Sequence, residues 1–176
     1  YLCDAKIWHE NPGVENLPQT NKYPKRLALY NDAFLCTVRG FLKADKEMLM
    51  PTMDYMMRNP AEYGVINYLS NYYGFTMADM VRYQKKHNQA NGEENRDGTD
   101  YNCTWNCGVE GNTKKQSVLD LRSQQLKNAF ALLFLSQGMP LIFMGDEFAN
   151  SQKGNNNPYC QDNEISWLNW RDLERN

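Results

Sequence analysis

Three short clusters carry side chains able to act on a polyhydroxylated ligand. Lys6, Trp8 and His9 close one apolar stretch, Asn71, Tyr72 and Tyr73 follow a second, and Gly145, Asp146 and Glu147 follow a third. Two polar stretches add Asn91, Glu93, Asn95, Arg96 and Asp97, then Asn155, Asn156, Asn157, Tyr159, Gln161 and Asp162. Carboxamides and carboxylates pair with vicinal hydroxyls, and aromatic faces cover the apolar faces of pyranose rings. Asn- and Gly-rich stretches also make ordinary solvated turns, so composition alone leaves both readings open. Trp105, Trp167 and Trp170 either stack on sugar or pack beneath the loops.

Those clusters need elements to hold them. Apolar runs at Leu2–Trp8, Arg26–Tyr30, Val65–Leu69 and Pro140–Met144 have the length of short strands. Asn31 stands where a helix N-cap belongs, ahead of Phe34, Val38, Phe41 and Leu42 at helical spacing. Met48–Met57 is rich in methionine and broken by Pro51, and reads as core filling or an adaptive ligand surface. Thr76 with Asp79, and Ser117 with Asp120, have the spacing of capping boxes. The second opens a helix running to about Gln137, with Val118, Leu121, Leu126, Phe130, Leu133 and Phe134 as its apolar face. Gly138 then fits a left-handed C-cap, and Pro140 bars continuation. The polar stretch 88–116 is longer than an ordinary connection, as functional loops often are.

Alternating strands and helices predict an α/β fold with a parallel sheet. A complete eight-stranded barrel takes about 250 residues. The 176 residues here supply half of one, or part of an open sheet. Function in such folds gathers beyond the C-terminal strand ends, where all three clusters lie.

A net charge of −2 with no basic stripe argues against a nucleic-acid partner. No apolar run has the length of a membrane span, and no secretory leader or cofactor motif stands out. The chain opens at Tyr1 rather than Met, as a processed product or a piece of something larger would. The five cysteines are odd in number and irregular in spacing. They read as buried free thiols of a reducing compartment, which favours the cytoplasm. Cys103 and Cys107 form a C-x3-C pair, but with two histidines and no second pair the expectation is no metal.

The run from Asn88 to Gly111 resembles the loop after the seventh barrel strand of bacterial glycogen debranching enzymes, isoamylases and pullulanases of the α-amylase superfamily. Gly138-Met-Pro, Gly145-Asp-Glu-Phe and the run from Gly154 to Trp167 resemble their eighth strand and the segment after it. Ile66-Asn-Tyr and Gly74-Phe-Thr extend the likeness over most of residues 64–170. Tyr30-Asn-Asp-Ala-Phe and Thr37-Val-Arg-Gly-Phe resemble the sixth-strand segment, and Leu2–His9 the fifth. The resemblance implies a partial (β/α)8 TIM barrel, strands five to eight with long βα loops, spanning residues 1–176 with a possible following segment from about 171. It implies hydrolysis of α-1,6 linkages in glycogen, starch or pullulan by a retaining pair of carboxyl groups.

The chain departs from that pattern where the chemistry sits. The family's nucleophile lies on the fourth strand, ahead of this chain. Aligning Trp8 with the aromatic that follows the family's acid puts Lys6 at the acid position, with Glu10 as the nearest substitute. A His-Asp pair normally precedes Gly-Phe-Thr, and here those positions hold Tyr72 and Tyr73. Lysine, with a pKa of about 10.4, is poorly matched to donating a proton near neutrality. A neutral phenol cannot stabilise an oxocarbenium ion as a carboxylate does. No intact catalytic set is therefore expected. Trp105, Asp146, Asn155, Asn156 and Tyr159 are the candidate contacts to an α-glucan oligosaccharide. Two other readings stand beside this one: an active hydrolase completed by a missing N-terminal half barrel, and a half-barrel module that closes as a homodimer.

Overall fold

The computed structural model describes residues 7–9, 27–61 and 63–174. Strands β1 (Ile7–His9), β2 (Leu27–Tyr30), β3 (Gly64–Tyr68) and β4 (Met139–Leu141) form a parallel sheet in the order β1-β2-β3-β4. Parallel neighbours require crossover connections. Helices α1 (Asp32–Leu42) and α2 (Leu49–Met57) lie between β2 and β3. The single turn α3 (Met77–Met80) and the long α4 (Gln116–Leu135) lie between β3 and β4.

Alternation along β3 sorts its side chains onto two faces. Val65, Asn67 and Leu69 share the face that meets the helices. There Phe34 and Val38 of α1, Met77 and Met80 of α3, and Val118, Ala129 and Leu133 of α4 form the main core with Leu69. Asn67 is wholly buried in this layer, and both ends of its amide are used. It accepts from Asn31 Nδ2 at 2.9 Å and donates to the Gln137 carbonyl at 2.7 Å. Asn31 in turn caps α1, its Oδ1 accepting from the Phe34 amide at 3.3 Å. One pair of carboxamides thus ties the end of β2, the start of α1 and the approach to β4 to the centre of β3. The opposite face carries Ile66 and Tyr68, beside Tyr30 of β2 through the Tyr30–Ile66 register.

The helices differ from the expectation in three places. Pro51 does not break the methionine-rich segment; it falls in the first turn of α2, where a missing N–H costs no intrahelical bond. Nor do most of those methionines fill the core. Met50, Met53 and Met57 are exposed, while Met56 packs inward. Ser117 does not cap α4, which begins one residue earlier behind Lys115 without a side-chain cap. Gln116 instead donates to Asp120 at 2.8 Å on the helix surface. The cap at Thr76 does form, accepting from the Asp79 amide at 3.1 Å. β4 begins one residue before the expected Pro140–Met144 run and ends within it, because pairing with β3 stops at Leu141. Gly138 takes a left-handed φ of +106°, and a Cβ there would lie 2.8 Å from the Val65 carbonyl, so the entry to β4 packs hard against β3.

Candidate functional site

Beyond the C-terminal ends of β2 and β3 lies an open cleft of about 510 Å³. Tyr30 ends β2 and Tyr68 ends β3, and their rings meet edge to face with centroids 5.6 Å apart. The Tyr68 hydroxyl donates to Asp32, the first residue of α1. The turn after β3 adds Asn71, Tyr72 and Tyr73, and the segment after β4 adds Asn157, Pro158 and Tyr159. Asn71 Oδ1 accepts from the Tyr73 amide at 3.0 Å, which sets the turn. Gly74, at a φ of +92°, donates its N–H to the Asn156 carbonyl at 2.9 Å. That bond fixes the Tyr72–Tyr73 turn to the strip bearing Tyr159. Tyr72, Tyr73 and Tyr159 are all exposed in the cleft wall.

Beneath that wall the asparagines form a polar platform. Asn156 is fully buried: its amide N–H and its Oδ1 meet Asn88, and its Nδ2 donates to Thr99 O at 2.8 Å and Asn102 Oδ1 at 2.9 Å. Asn155, also buried, donates to Asn91 Oδ1 at 2.8 Å and accepts from the Asn157 amide at 2.9 Å. Asn91 has no unused capacity. Its Nδ2 donates to Asp97 Oδ2 at 2.7 Å and Asn157 O at 2.9 Å, and its Oδ1 also accepts from Gln161 at 2.8 Å. Burial works against ionisation of Asp97, but the amides of Asn91 and Asn157 outweigh it and hold its carboxyl below the usual range. These carboxamides knit residues 88–102 to residues 155–161. Asn155 and Asn156 therefore orient the cleft wall from behind, rather than facing the cleft as expected of contacts.

Asp146 is likewise turned inward. It is 2% exposed, and its two oxygens accept from the Met77 amide at 2.9 Å and from the Ser70 hydroxyl. It fixes the start of α3 and the end of β3 to the turn after β4. Burial drives its pKa up from 3.8 to about 6, against the pull of Ser70, Met77 and Arg39. The unfolded chain releases this proton near pH 4, and the folded chain holds it to near pH 6. The folded state thus binds more protons in that window, so stability falls as pH rises through it. The loss totals about 3 kcal/mol. Urea titrations of Asp146→Asn at pH 4 and pH 6.5 are expected to lack this loss; an unchanged slope would rule the assignment out.

Trp105 is half-buried against the core, with its amide donating to Met80 O at 3.2 Å, so it packs under the loop. Glu147 is exposed and accepts from the Gly145 amide at 2.8 Å. Lys6 and Glu10 lie outside the described residues, and of Trp8 and His9 only the strand is described. Cys103 and Cys107 do not converge: Cys107 enters the core, while Cys103 faces Cys36. Cys36 and Cys160 are exposed rather than buried. Among the described residues no three His, Cys, Asp or Glu side chains gather as a metal site. Tyr30, Tyr68 and Asp32 were not among the candidates, although the alternation on β3 and its register with β2 point to the two tyrosines.

No protein-family model matches the chain. It is 40% identical over 174 residues to the glycogen debranching enzyme of Serratia proteamaculans, covering 94% of this chain and 26% of that one. It is 36% identical over 179 residues to isoamylase 1 of Oryza sativa, covering 96% of this chain and 22% of the relative. Over 111 residues, 63% of this chain and 15% of the relative, it is 52% identical to a glycogen operon protein GlgX homolog of Mycobacterium bovis. The chain thus spans about a quarter or less of the length of these relatives. Among solved structures, a pullulanase from Anoxybacillus sp. LM18-11 complexed with maltotetraose superposes with a TM-score of 0.59 at 21% identity, over 85% of this chain and 20% of that one.

Proposed function

The chain is a relative of the α-amylase-superfamily debranching enzymes, and from that premise we propose that it is a barrel segment that binds α-glucan without hydrolysing it. In this reading β1 to β4 are strands five to eight of a (β/α)8 barrel. The unbroken sequential order of four parallel strands supports it, as does the placement of the cleft beyond their C-terminal ends.

The observation that carries the functional reading is the lining of the cleft. Tyr72, Tyr73 and Tyr159 offer exposed aromatic faces, backed by Tyr30 and the buried Tyr68, and Asn71 and Asn157 offer amides. That combination suits a chain of pyranose rings. A retaining glycosidase needs two carboxyl groups about 5–5.5 Å apart. Asp32 is the one carboxylate among the described lining residues, and it accepts from Tyr68. Tyr72 and Tyr73, where the family carries His and Asp, add surface for stacking but no charge for a developing oxocarbenium ion.

Calorimetric titration with a branched maltooligosaccharide, with reducing ends assayed on the same sample, is expected to give heat of binding and no release. Tyr73→Ala is expected to weaken binding about tenfold, the worth of one lost stacking face. Absence of binding would refute the glucan reading, and release above background would refute the loss of catalysis.

A further inference from the structure

Cys36 of α1 and Cys103 of the long loop lie 67 positions apart in sequence, yet their sulfurs are 2.7 Å apart. Neither belongs to the cleft. A disulfide bond is about 2.05 Å long, so closing it from this contact takes a movement well under 1 Å. Cys36 is exposed and Cys103 is buried, which gives the pair one sulfur that solvent can reach and one that it cannot. We propose that this pair is a thiol-modification site, at which a low-molecular-weight disulfide oxidises Cys36 and Cys103 to a reversible cross-link between α1 and the 88–115 loop.

The surroundings assign an order to the two sulfurs. The Cys103 thiol donates toward Cys36 and lowers its pKa to about 7, with Arg39 and Lys43 assisting and burial and Asp32 opposing. The same contact, then burial, pushes the Cys103 thiol up. Cys36 is thus the thiolate and Cys103 holds the proton. In the first step the Cys36 thiolate attacks one sulfur of the oxidant, RSSR. A mixed disulfide forms, and RS⁻ leaves and takes up a proton. In the second step Cys103 gives up its proton and attacks the Cys36 sulfur, expelling the second RS⁻. The two cysteines together lose two electrons and the one proton that Cys103 held, and RSSR, with that proton and one more from solvent, becomes two RSH.

The position of the cross-link gives it a consequence. Three residues beyond Cys36, Arg39 donates to the carbonyls of Leu69 and Phe75, which bracket the Tyr72–Tyr73 turn. Arg39 also donates to the carbonyl of Asn102, next to Cys103. A bond between Cys36 and Cys103 would lock the loop over this clamp and remove loop-closure freedom from the unfolded chain.

The test treats the full chain with oxidised glutathione at pH 7.5, alkylates the remaining thiols and maps the peptides by mass spectrometry. The expected map links Cys36 to Cys103 and leaves Cys107 and Cys160 alkylated. The melting temperature is expected to rise by about 5–10 °C, and dithiothreitol to reverse the rise. Cys103→Ser is expected to stop at a glutathione adduct on Cys36 with no such rise, and Cys36→Ser to form neither product. The wild-type map decides even if a variant fails to fold. A glutathione adduct on Cys36 without the link, or links mainly through Cys3, Cys107 or Cys160, would overturn the proposal.

Discussion

Arg39→Met is expected to lower the free energy of unfolding by about 4–5 kcal/mol, read as a fall in the urea midpoint. Arg39 is 3% exposed, and among the described residues no carboxylate pairs with its guanidinium; backbone carbonyls surround it instead. Its Nε and Nη2 reach Leu69 O and Phe75 O at 2.9 Å, and Nη1 reaches Asn102 O at 3.0 Å. Burial pulls its pKa down from 12.5 to about 10, so it remains charged at neutral pH. Methionine fills much of the volume but donates nothing, leaving carbonyls from three segments unpaired at about 1–3 kcal/mol each. Arg39→Lys is expected to recover only part of the loss, because one ammonium cannot span carbonyls arranged for a planar fork. An unchanged midpoint in Arg39→Met would mean that water satisfies these carbonyls and that the clamp holds nothing.

Asn156→Ala is expected to cost about 4 kcal/mol of stability and to weaken glucan binding as well. The truncation strands Asn102 Oδ1 and removes one partner each from Asn88 Nδ2 and Thr99 O, which keep Asp97 O at 2.9 Å and Asn102 Nδ2 at 3.2 Å. It also loosens the strip from Asn157 to Tyr159 that forms one wall of the cleft. Tyr159→Ala supplies the contrast. That side chain is 68% exposed, so its removal is expected to change stability by less than about 0.5 kcal/mol while still weakening binding. If Asn156→Ala lost affinity at unchanged stability, Asn156 would be a glucan contact and the buried platform would be misjudged.

Much of the architecture could be read from local chemistry. The cap at Asn31 and the apolar spacing of α1 leave a signature within a few residues and appear in the fold, as does most of the apolar face of α4, although Phe134 is exposed. Gly138 is left-handed but does not cap α4, which ends earlier at an extended Ser136. The errors arose where one residue type serves two purposes. Pro51 breaks a helix from its interior but not from its first turn. Asparagine amides suit sugar hydroxyls and backbone carbonyls equally, so nothing local to Asn155 or Asn156 says which partner they meet. Burial decides, and burial here comes from the long loop folding back across the segment after β4. Arg39 was missed because a charged residue beside Val38 reads as solvent-facing, and the carbonyls that hold it come from 30 to 63 positions away. The tyrosine wall could be traced further, since Tyr72 and Tyr73 stand out in the sequence and the period-two alternation of β3 adds Tyr68.

The asparagine platform also bears on how the chain ages. Asn91-Gly92 is an Asn-Gly step. Such steps lose ammonia readily when the following backbone nitrogen swings round to attack the side-chain carbonyl carbon and close a succinimide ring. Here the Asn91 carboxamide is held at both ends, and the Gly92 N–H donates to Gln89 O at 3.2 Å. Neither reactant is free to rotate into line. The bonds that shape the cleft wall therefore also delay spontaneous deamidation at this step, and the chain's chemical lifetime is tied to the integrity of its fold. Once the platform opens, conversion of Asn91 to aspartate would set a second carboxylate against Asp97 and oppose its closing again.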